Sequence, residues 1–394
     1  MTKKEKLILF IYSMLLFGAT YILYTQVKPI MVCDPDDWTY ISSIRYAIPL
    51  WKDWNPSKVL PETLMGLCGY FSAYVKHPII GDYILSFTYV YAFVVSLFIG
   101  IYIIAILLFI RKIFDATIQC SLACSLIAYF LHFLFMLNRD TNNLFMLTAS
   151  NLNCFLNYTI PVLFCFIVTL YFMQKFLFNI NSLFLNENLN GERNCESWNY
   201  YKIGTIAFVI YLAIFSNMVC NIIIIAPFIY MFSTTILKQI KTDGIKKVIC
   251  LSNIKRYCFF IYSFLLELIC LIFEYNGGRA QDLSFDADFA FGDIMIDVKY
   301  IWININKKIA ITCVVAICYA ILTYIYRKRK GIANNTDNTY IKALKIMLFS
   351  FGLTLIYMVL LYVRIGQHKL QRSENIFVIY AWGALQLLFH LDIF

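Results

Sequence analysis

Apolar runs close to the length of a bilayer crossing recur from one end of this chain to the other. A helix needs ~20 residues to cross the hydrocarbon of a membrane. About ten runs approach that length, at 7–26, 84–110, 117–137, 157–178, 203–216, 218–236, 257–273, 308–326, 344–363 and 376–393. This constrains the fold more than any other feature. Backbone that passes through hydrocarbon must satisfy its own N–H and C=O groups, so it crosses as helices or as a closed barrel. The runs are continuously apolar and lack the alternation of a lipid-facing barrel strand. The expected fold is an all-α polytopic membrane protein, one transmembrane domain over 1–394, with about ten transmembrane helices. Composition agrees: 61% of residues are hydrophobic and 14% charged, against ~25% charged in soluble domains.

Charge sets the expected orientation. With MTKKEK inside, the inner segments collect most of the lysines and arginines, including the clusters Lys238 to Arg256 and Arg327 to Lys345, and most acids fall outside. The net charge of +10 then reads as a topology signal whose partner is anionic membrane lipid, and not nucleic acid. The first run is too long for a signal peptide and lacks an obvious small-residue cleavage site before Val32, so it is read as an uncleaved anchor. Most of the 13 cysteines lie inside apolar runs, where they act as small hydrophobes, and no spacing marks a disulfide or zinc site. The runs at 203–216 and 218–236 are short and meet at Ser216-Asn217. They read as two half-length helices, a re-entrant pair or one broken helix.

Four polar stretches, 27–83, 138–156, 274–307 and 364–375, are expected on the outer face. They are too short to be soluble domains and are read as one layer with interfacial helices, 27–83 being the first extracytoplasmic loop and 274–307 the third. The first is the most informative. Asp36 and Asp37 stand where a helix starting near Trp38 would be capped. Trp38, Ile41, Ile44, Arg45 and Ile48 keep helical spacing up to Pro49. A carboxylate held there is a helix cap, a general base or a cation ligand. Further on, WNPSKVLPE carries two prolines and the mixed side chains of Trp54, Asn55, Ser57, Lys58 and Glu62, the composition of a shaped pocket. LNYTIP opens the run at 157–178, and NGGRAQ follows the run at 257–273. The paired glycines permit close backbone approach, and Arg279 is a natural phosphate ligand.

These elements together resemble the bacterial multi-pass glycosyltransferases of the GT-C superfamily, nearest to the glucosyltransferase (Gtr)-type proteins of O-antigen and wall-polymer decoration. DDWTY after the first span, WNPSKVLPE later in the same loop, the Asn157-Tyr158…Pro161 entry and NGGRA carry the likeness, over about residues 1–310. The resemblance implies a GT-C-like outer-loop layer and a hexosyltransferase in the bacterial cytoplasmic membrane. Its donor would be a polyprenyl-phosphate-linked sugar such as glucose, and its acceptor a cell-surface glycan. It also implies that the first outer loop holds the catalytic carboxylate and that Asn157 and Tyr158 contact substrate.

Transfer from a sugar phosphate needs a base for the acceptor hydroxyl, and Asp36 or Asp37 supplies it, Asp37 being the preferred one. It needs cations on the departing phosphate. Arg279 is the first candidate, with Lys58, Arg364 and Arg372 beside it. Trp38 offers a ring for a sugar face. No cofactor is required; a divalent cation bridging the acids and the phosphate is compatible with the residues. No GxxxxGK[ST] loop or Rossmann glycine pattern points to a nucleotide donor.

Other residues carry weaker signals. Glu267 lies inside the run at 257–273, and an acid there either pairs with a buried polar neighbour or reaches a water-filled cavity. His132 reads as a hydrogen-bonded packing residue. Asp286, Asp288 and Asp293 do not follow the ligand order of an EF-hand and read as an acidic amphipathic segment. Two other functions stay open: a surface-polysaccharide polymerase or ligase, and a transporter or flippase, which would use the Ser216-Asn217 break and Glu267.

Overall fold

The structure, a computed structural model, describes residues 2–32, 35–134, 151–178, 200–243, 251–278 and 335–365, and the single positions 311, 314, 315, 318, 322 and 382. The described chain is helical, its extended pairing being one isolated bridge between Met31 and Asn151. In chain order the helices are α1 (Lys3–Ile22), α2 (Pro35–Ser42), α3 (Val59–Phe71), α4 (His77–Ile80), α5 (Tyr83–Phe114), α6 (Ile118–Tyr129), α7 (Ile160–Phe178), α8 (Tyr200–Ile214), α9 (Ile222–Asp243), α10 (Leu251–Asn276) and α11 (Asn335–Ile365). Among the described residues six helical stretches are long and apolar enough to cross a membrane: Lys3–Val27, Tyr83–Phe114, Leu152–Phe178, Ile222–Lys241, Tyr257–Asn276 and Thr339–Met358. Two shorter apolar helices, Ile118–Phe133 and Tyr200–Ile214, accompany them. This is the architecture of an α-helical multi-pass membrane protein. The expected runs at 308–326 and 376–393 fall almost wholly outside the described residues; each of the others coincides with a helix.

Helix ends are fixed by side chains. Thr2 and Glu5 form a reciprocal capping box at the start of α1. Asp82 accepts from the Leu85 amide at the start of α5, and Asn151 from the Cys154 amide ahead of α7, satisfying donors that a helix start leaves unpaired. Glu5 also pairs with Arg111 at 2.7 Å, which ties the beginning of α1 to the end of α5. The stretch Leu152–Phe178 is the centre of the bundle: 78% of its apolar window is buried, against 22% for Lys3–Val27. It packs against α5, α8 and α9, and α9 in turn packs on α11.

Two prolines break the backbone ladder inside this bundle, and side chains from neighbouring helices repair it. A proline has no N–H for the carbonyl four residues before it. Pro161 leaves the Asn157 carbonyl, and the Asn217 side-chain amide donates to it at 2.8 Å. Pro227 leaves the Ile223 carbonyl, and the Thr169 hydroxyl donates to it at 2.8 Å. Other hydroxyls hold carbonyls of the connecting segments: Thr88 on Ile30, Tyr211 on Ala47 and Tyr357 on Met218. In an apolar surround these groups have no water to fall back on.

The connection between α8 and α9 runs through turns at 215–221. Since α9 extends over Ile222–Asp243, it is a full-length helix, so the reading of both runs as half-length elements does not hold. The helix expected from Trp38 to Ile48 instead runs from Pro35 to Ser42, so Asp36 and Asp37 lie within its first turn and not at its cap, and it ends early. The hydroxyls of Ser42 and Ser43 both donate back to the Thr39 carbonyl, a bond that competes with helix continuation. Beyond it, Arg45 is drawn into a different set of contacts.

Thr169→Val should cost about 1–3 kcal/mol, the penalty of an unpaired buried acceptor. In a Pro227→Ala background the restored amide takes over the Ile223 carbonyl, and the same substitution should cost less than half as much. Thermal unfolding of the four proteins of this double-mutant cycle, purified in detergent, measures the difference.

Candidate functional site

The residues singled out in 36–62 and at Asn157-Tyr158 lie near one another, and a buried guanidinium organises the turn between them. Arg45 has a side chain only 8% exposed and meets the Asp53 carboxylate at 2.6 Å and the Glu62 carboxylate at 2.5 Å. It also donates to the backbone carbonyls of Asn55 and Pro56. The planar fork reaches several acceptors at once, which a lysine could not. It therefore closes 45–62 into a compact turn in front of α3. Asn55 and Glu62, expected to contact substrate, are part of this framework: Asn55 is buried, and Glu62 is engaged by Arg45. Arg45 stood in the sequence only as a helix-face position, because its partners lie eight and seventeen residues away and no local spacing reveals them.

Helix α2 lies against α3 at two glycines. A Cβ on Gly66 would come within 2.4 Å of the Ser43 carbonyl oxygen, and one on Gly69 within 2.6 Å of the Ile41 side chain. This close approach sets the two acids in different surroundings. Asp36 is exposed, and Asp37 is fully buried. Asp37 accepts from the Asn153 amide at 2.9 Å. The pairing of Leu152 N–H with the Met31 carbonyl at 3.2 Å runs alongside. The start of the central helix is thus clamped by the segment that carries DDW.

The other expected site residues fall around this clamp. Asn157 is buried, and its amide donates to the Asn153 side chain and to the Met65 sulfur. The Lys58 ammonium stands 5.4 Å from the centre of the Tyr158 ring, within cation–π range. Trp38 is exposed with its ring edge-on to Phe87 at 6.0 Å. Trp54 is also exposed. The end of α10 docks on the same turn: Gly278 donates to the Asp53 carbonyl at 3.0 Å, and a Cβ on Gly277 would meet the Pro56 ring at 2.8 Å. The glycine pair is needed here for close approach. One turn earlier, Glu274 accepts from the Ser57 amide at 2.8 Å. WNPS and NGG are therefore in direct contact. Arg279 and Arg372 lie outside the described residues, as do Asp286, Asp288 and Asp293. Arg364 falls in the last turn of α11, and its side chain lies outside the described set.

Electrostatics follow burial. Glu62 is pushed up from its ordinary 4.5 to about 6, chiefly by desolvation, with Arg45 and Lys58 pulling the other way. Burial also raises the Tyr40 phenol, and the Glu62 and Asp36 carboxylates add to that shift. Tyr40 is thus within electrostatic reach of Glu62, Asp36 and Arg45, and Glu62 within reach of Arg45 and Lys58. Among the described residues no three acids, histidines or cysteines converge as a metal centre would require. His132 is buried, with Nδ1 2.8 Å from the Ala128 carbonyl and Nε2 3.2 Å from the Tyr102 hydroxyl, the packing role expected of it.

Comparison of the chain with protein-family models, with curated proteins and with solved structures returns no match.

Between its ordinary 4.5 and about 6, Glu62 keeps a proton in the folded chain that the unfolded chain has released. Its contribution to stability is therefore greatest at and below pH 4.5 and is lost as the pH rises through about 6. Unfolding temperature measured against pH should show this fall, and Glu62→Gln should flatten it. Arg45→Met should destabilise by about 3 kcal/mol, the low end for removing one partner of a buried pair, and should move the Glu62 step to higher pH.

Proposed function

We propose that the chain is a membrane glycosyltransferase of the GT-C type, moving a hexose such as glucose from a polyprenyl-phosphate-linked donor to a cell-surface glycan. The setting is the outer side of a bacterial cytoplasmic membrane, with the N-terminus inside. The observation that carries the reading is the convergence at one bundle end of an exposed carboxylate, Asp36, with a rigid polar turn and the exposed rings of Trp38 and Trp54.

The two aspartates divide the work. A general base must come within hydrogen-bonding distance of the hydroxyl it deprotonates. Asp36 is open to an acceptor, and Asp37 is closed off by its bond to the Asn153 amide. Asp36 is therefore the base, and Asp37 is the positioning residue that holds α2 against the start of the central helix. In transfer, the acceptor oxygen forms a bond to the anomeric carbon as the bond from that carbon to the phosphate oxygen breaks. The acceptor proton passes to Asp36, and the phosphate leaves as an anion. Lys58 beside Tyr158 and Arg279 are the cations proposed to receive it. The exposed apolar faces of α1, α5 and α10 suit the donor's polyprenyl tail.

A second reading, a transporter or flippase, is favoured by one observation. A membrane-depth acid, Glu267, meets Asn221 of the non-helical 215–221 connection at 2.7 Å, the kind of mid-span polar site that transporters use.

Purified wild-type protein should release or transfer sugar from a polyprenyl-phosphate hexose. Asp36→Asn should lower that rate by about 10²–10⁴, the usual contribution of a positioned base. Asp37→Asn should act more mildly and lower the unfolding temperature as well. Full activity in both variants would sink the assignment, and substrate uptake that survives both would select the transporter.

A further inference from the structure

The central helix begins on an irregular turn. Phe155–Thr159 is a π-helical turn between the short helix Leu152–Cys154 and α7. Single π turns inside helices are frequent at functional sites. Pro161 follows it, so the Asn157 carbonyl has no amide four residues on. The turn is therefore held from outside. The Asn217 side-chain amide donates to the Asn157 carbonyl at 2.8 Å. Asn217 is itself fixed by the Val219 N–H, which donates to its side-chain oxygen at 2.9 Å. Both asparagines are buried, and they lie 60 residues apart in the chain, so no local spacing discloses the pair.

Two contacts lead from this turn to the candidate site. On one side the Asn157 side-chain amide donates to the Asn153 side chain, and the Asn153 N–H donates to the Asp37 carboxylate at 2.9 Å. The Asn157 side-chain oxygen has no hydrogen-bond partner, so the side chain keeps its orientation through its amide and the backbone that carries it. On the other side Tyr158, the next residue, sets its ring 5.4 Å from the Lys58 ammonium. One backbone carbonyl thus stands between the acid that positions α2 and a cation proposed for the departing phosphate. A shift of the turn moves both, because Asn157 and Tyr158 share its backbone. Misplacement by about 1 Å, caused far from the chemistry, can lower a rate ~10²-fold.

We propose that Asn217 is a positioning residue for the Asp36 site. By holding the carbonyl that Pro161 leaves open, it sets Asp37 through Asn153 and Lys58 through Tyr158. Its effect on transfer rests on the transferase reading; its hold on the turn does not.

The test is a cycle of four full-length proteins in detergent: wild type, Asn217→Ala, Pro161→Ala and the double variant. With Pro161→Ala the chain regains an N–H that reaches the Asn157 carbonyl without Asn217. Hydrogen exchange at the Asn153 amide reads the turn without sugar chemistry. It should speed up about tenfold in Asn217→Ala, the effect of one buried hydrogen bond on an opening equilibrium, and the double variant should match Pro161→Ala. Transfer from a polyprenyl-phosphate hexose is the second readout. In Asn217→Ala kcat should fall about tenfold to a hundredfold, with KM for the acceptor nearly unchanged, and the double variant should again match Pro161→Ala. Unchanged exchange in Asn217→Ala overturns the proposal. So does an equal change with and without Pro161, which is what a general loss of packing gives. Coupled exchange with unchanged kcat overturns the role in transfer. Should Asn217→Ala not fold, the double variant set against Pro161→Ala still decides: equal exchange and equal rate support the link, and a difference of about tenfold in either overturns it. Coupled exchange with no transfer by wild-type protein sinks the transferase reading and keeps the hold of Asn217 on Asp37 and Tyr158.

Discussion

Polar backbone inside an apolar bundle has to be paired by protein, and the arrangement of this molecule follows from how that is done. Pro161 and Pro227 each open a gap in a helix ladder. Asn217 and Thr169, on neighbouring elements, fill those gaps. The result is more than repair. A carbonyl satisfied within its own helix says nothing about its neighbours, whereas one satisfied from another helix fixes the rotation and height of both. The prolines thereby turn local defects into bonds that register the central helix against the α8–α9 connection and against α9. Water would dissolve this specificity by offering a substitute partner; at membrane depth there is none.

The same logic, with charge in place of backbone, builds the end of the bundle that carries the candidate site. Arg45 is buried among carboxylates and carbonyls. A buried charge is tolerated only when its hydrogen-bonding capacity is well used, so the turn must close around it for Arg45 to be there at all. Closure brings Asn55, Pro56 and Ser57 to the surface on which Gly277, Gly278 and Glu274 dock. A loop rich in proline and tryptophan thus becomes a rigid platform, and Asp36 and the exposed rings of Trp38 and Trp54 stand on its rim.

What the sequence disclosed depended on how local the physics was. Spans declare themselves through composition over one continuous stretch, and those falling on described residues coincide with helices. The close approach of the Gly-Gly pair was legible for the same reason, since it is short-range. The capping role read at DDW does not hold: α2 begins at Pro35, both aspartates lie inside its first turn, and Asp37 accepts from the distant Asn153 amide instead. The end of α2 was not legible either. Helical spacing continued through Ile48, but the serine hydroxyls and the distant partners of Arg45 outweighed it. Nor could spacing separate two adjacent aspartates. Their difference arises because α3 offers glycines at Gly66 and Gly69, which draw α2 in close, and because the central helix places the Asn153 amide beside one carboxylate only. Glu267 was visible as an oddity, but its partner on the α8–α9 connection was not.

The connection at 215–221 is where these strands of the structure join. Phe215 receives the first turn of α3, Asn217 holds the Asn157 carbonyl, and Asn221 holds Glu267. Asn157 bonds in turn to Asn153, the residue whose amide fixes Asp37. The positioning aspartate and the membrane-depth glutamate are therefore ends of one contiguous series of buried polar contacts. Such a series transmits nothing unless some element in it has two arrangements. The element suited to that part is the short turn itself. Its backbone is held by short turn bonds, Cys220 N–H to the Asn217 carbonyl and Asn221 N–H to the Met218 carbonyl, in place of a continuous helical ladder. A change in that turn acts through Phe215 and Asn217 on the elements that frame the aspartates.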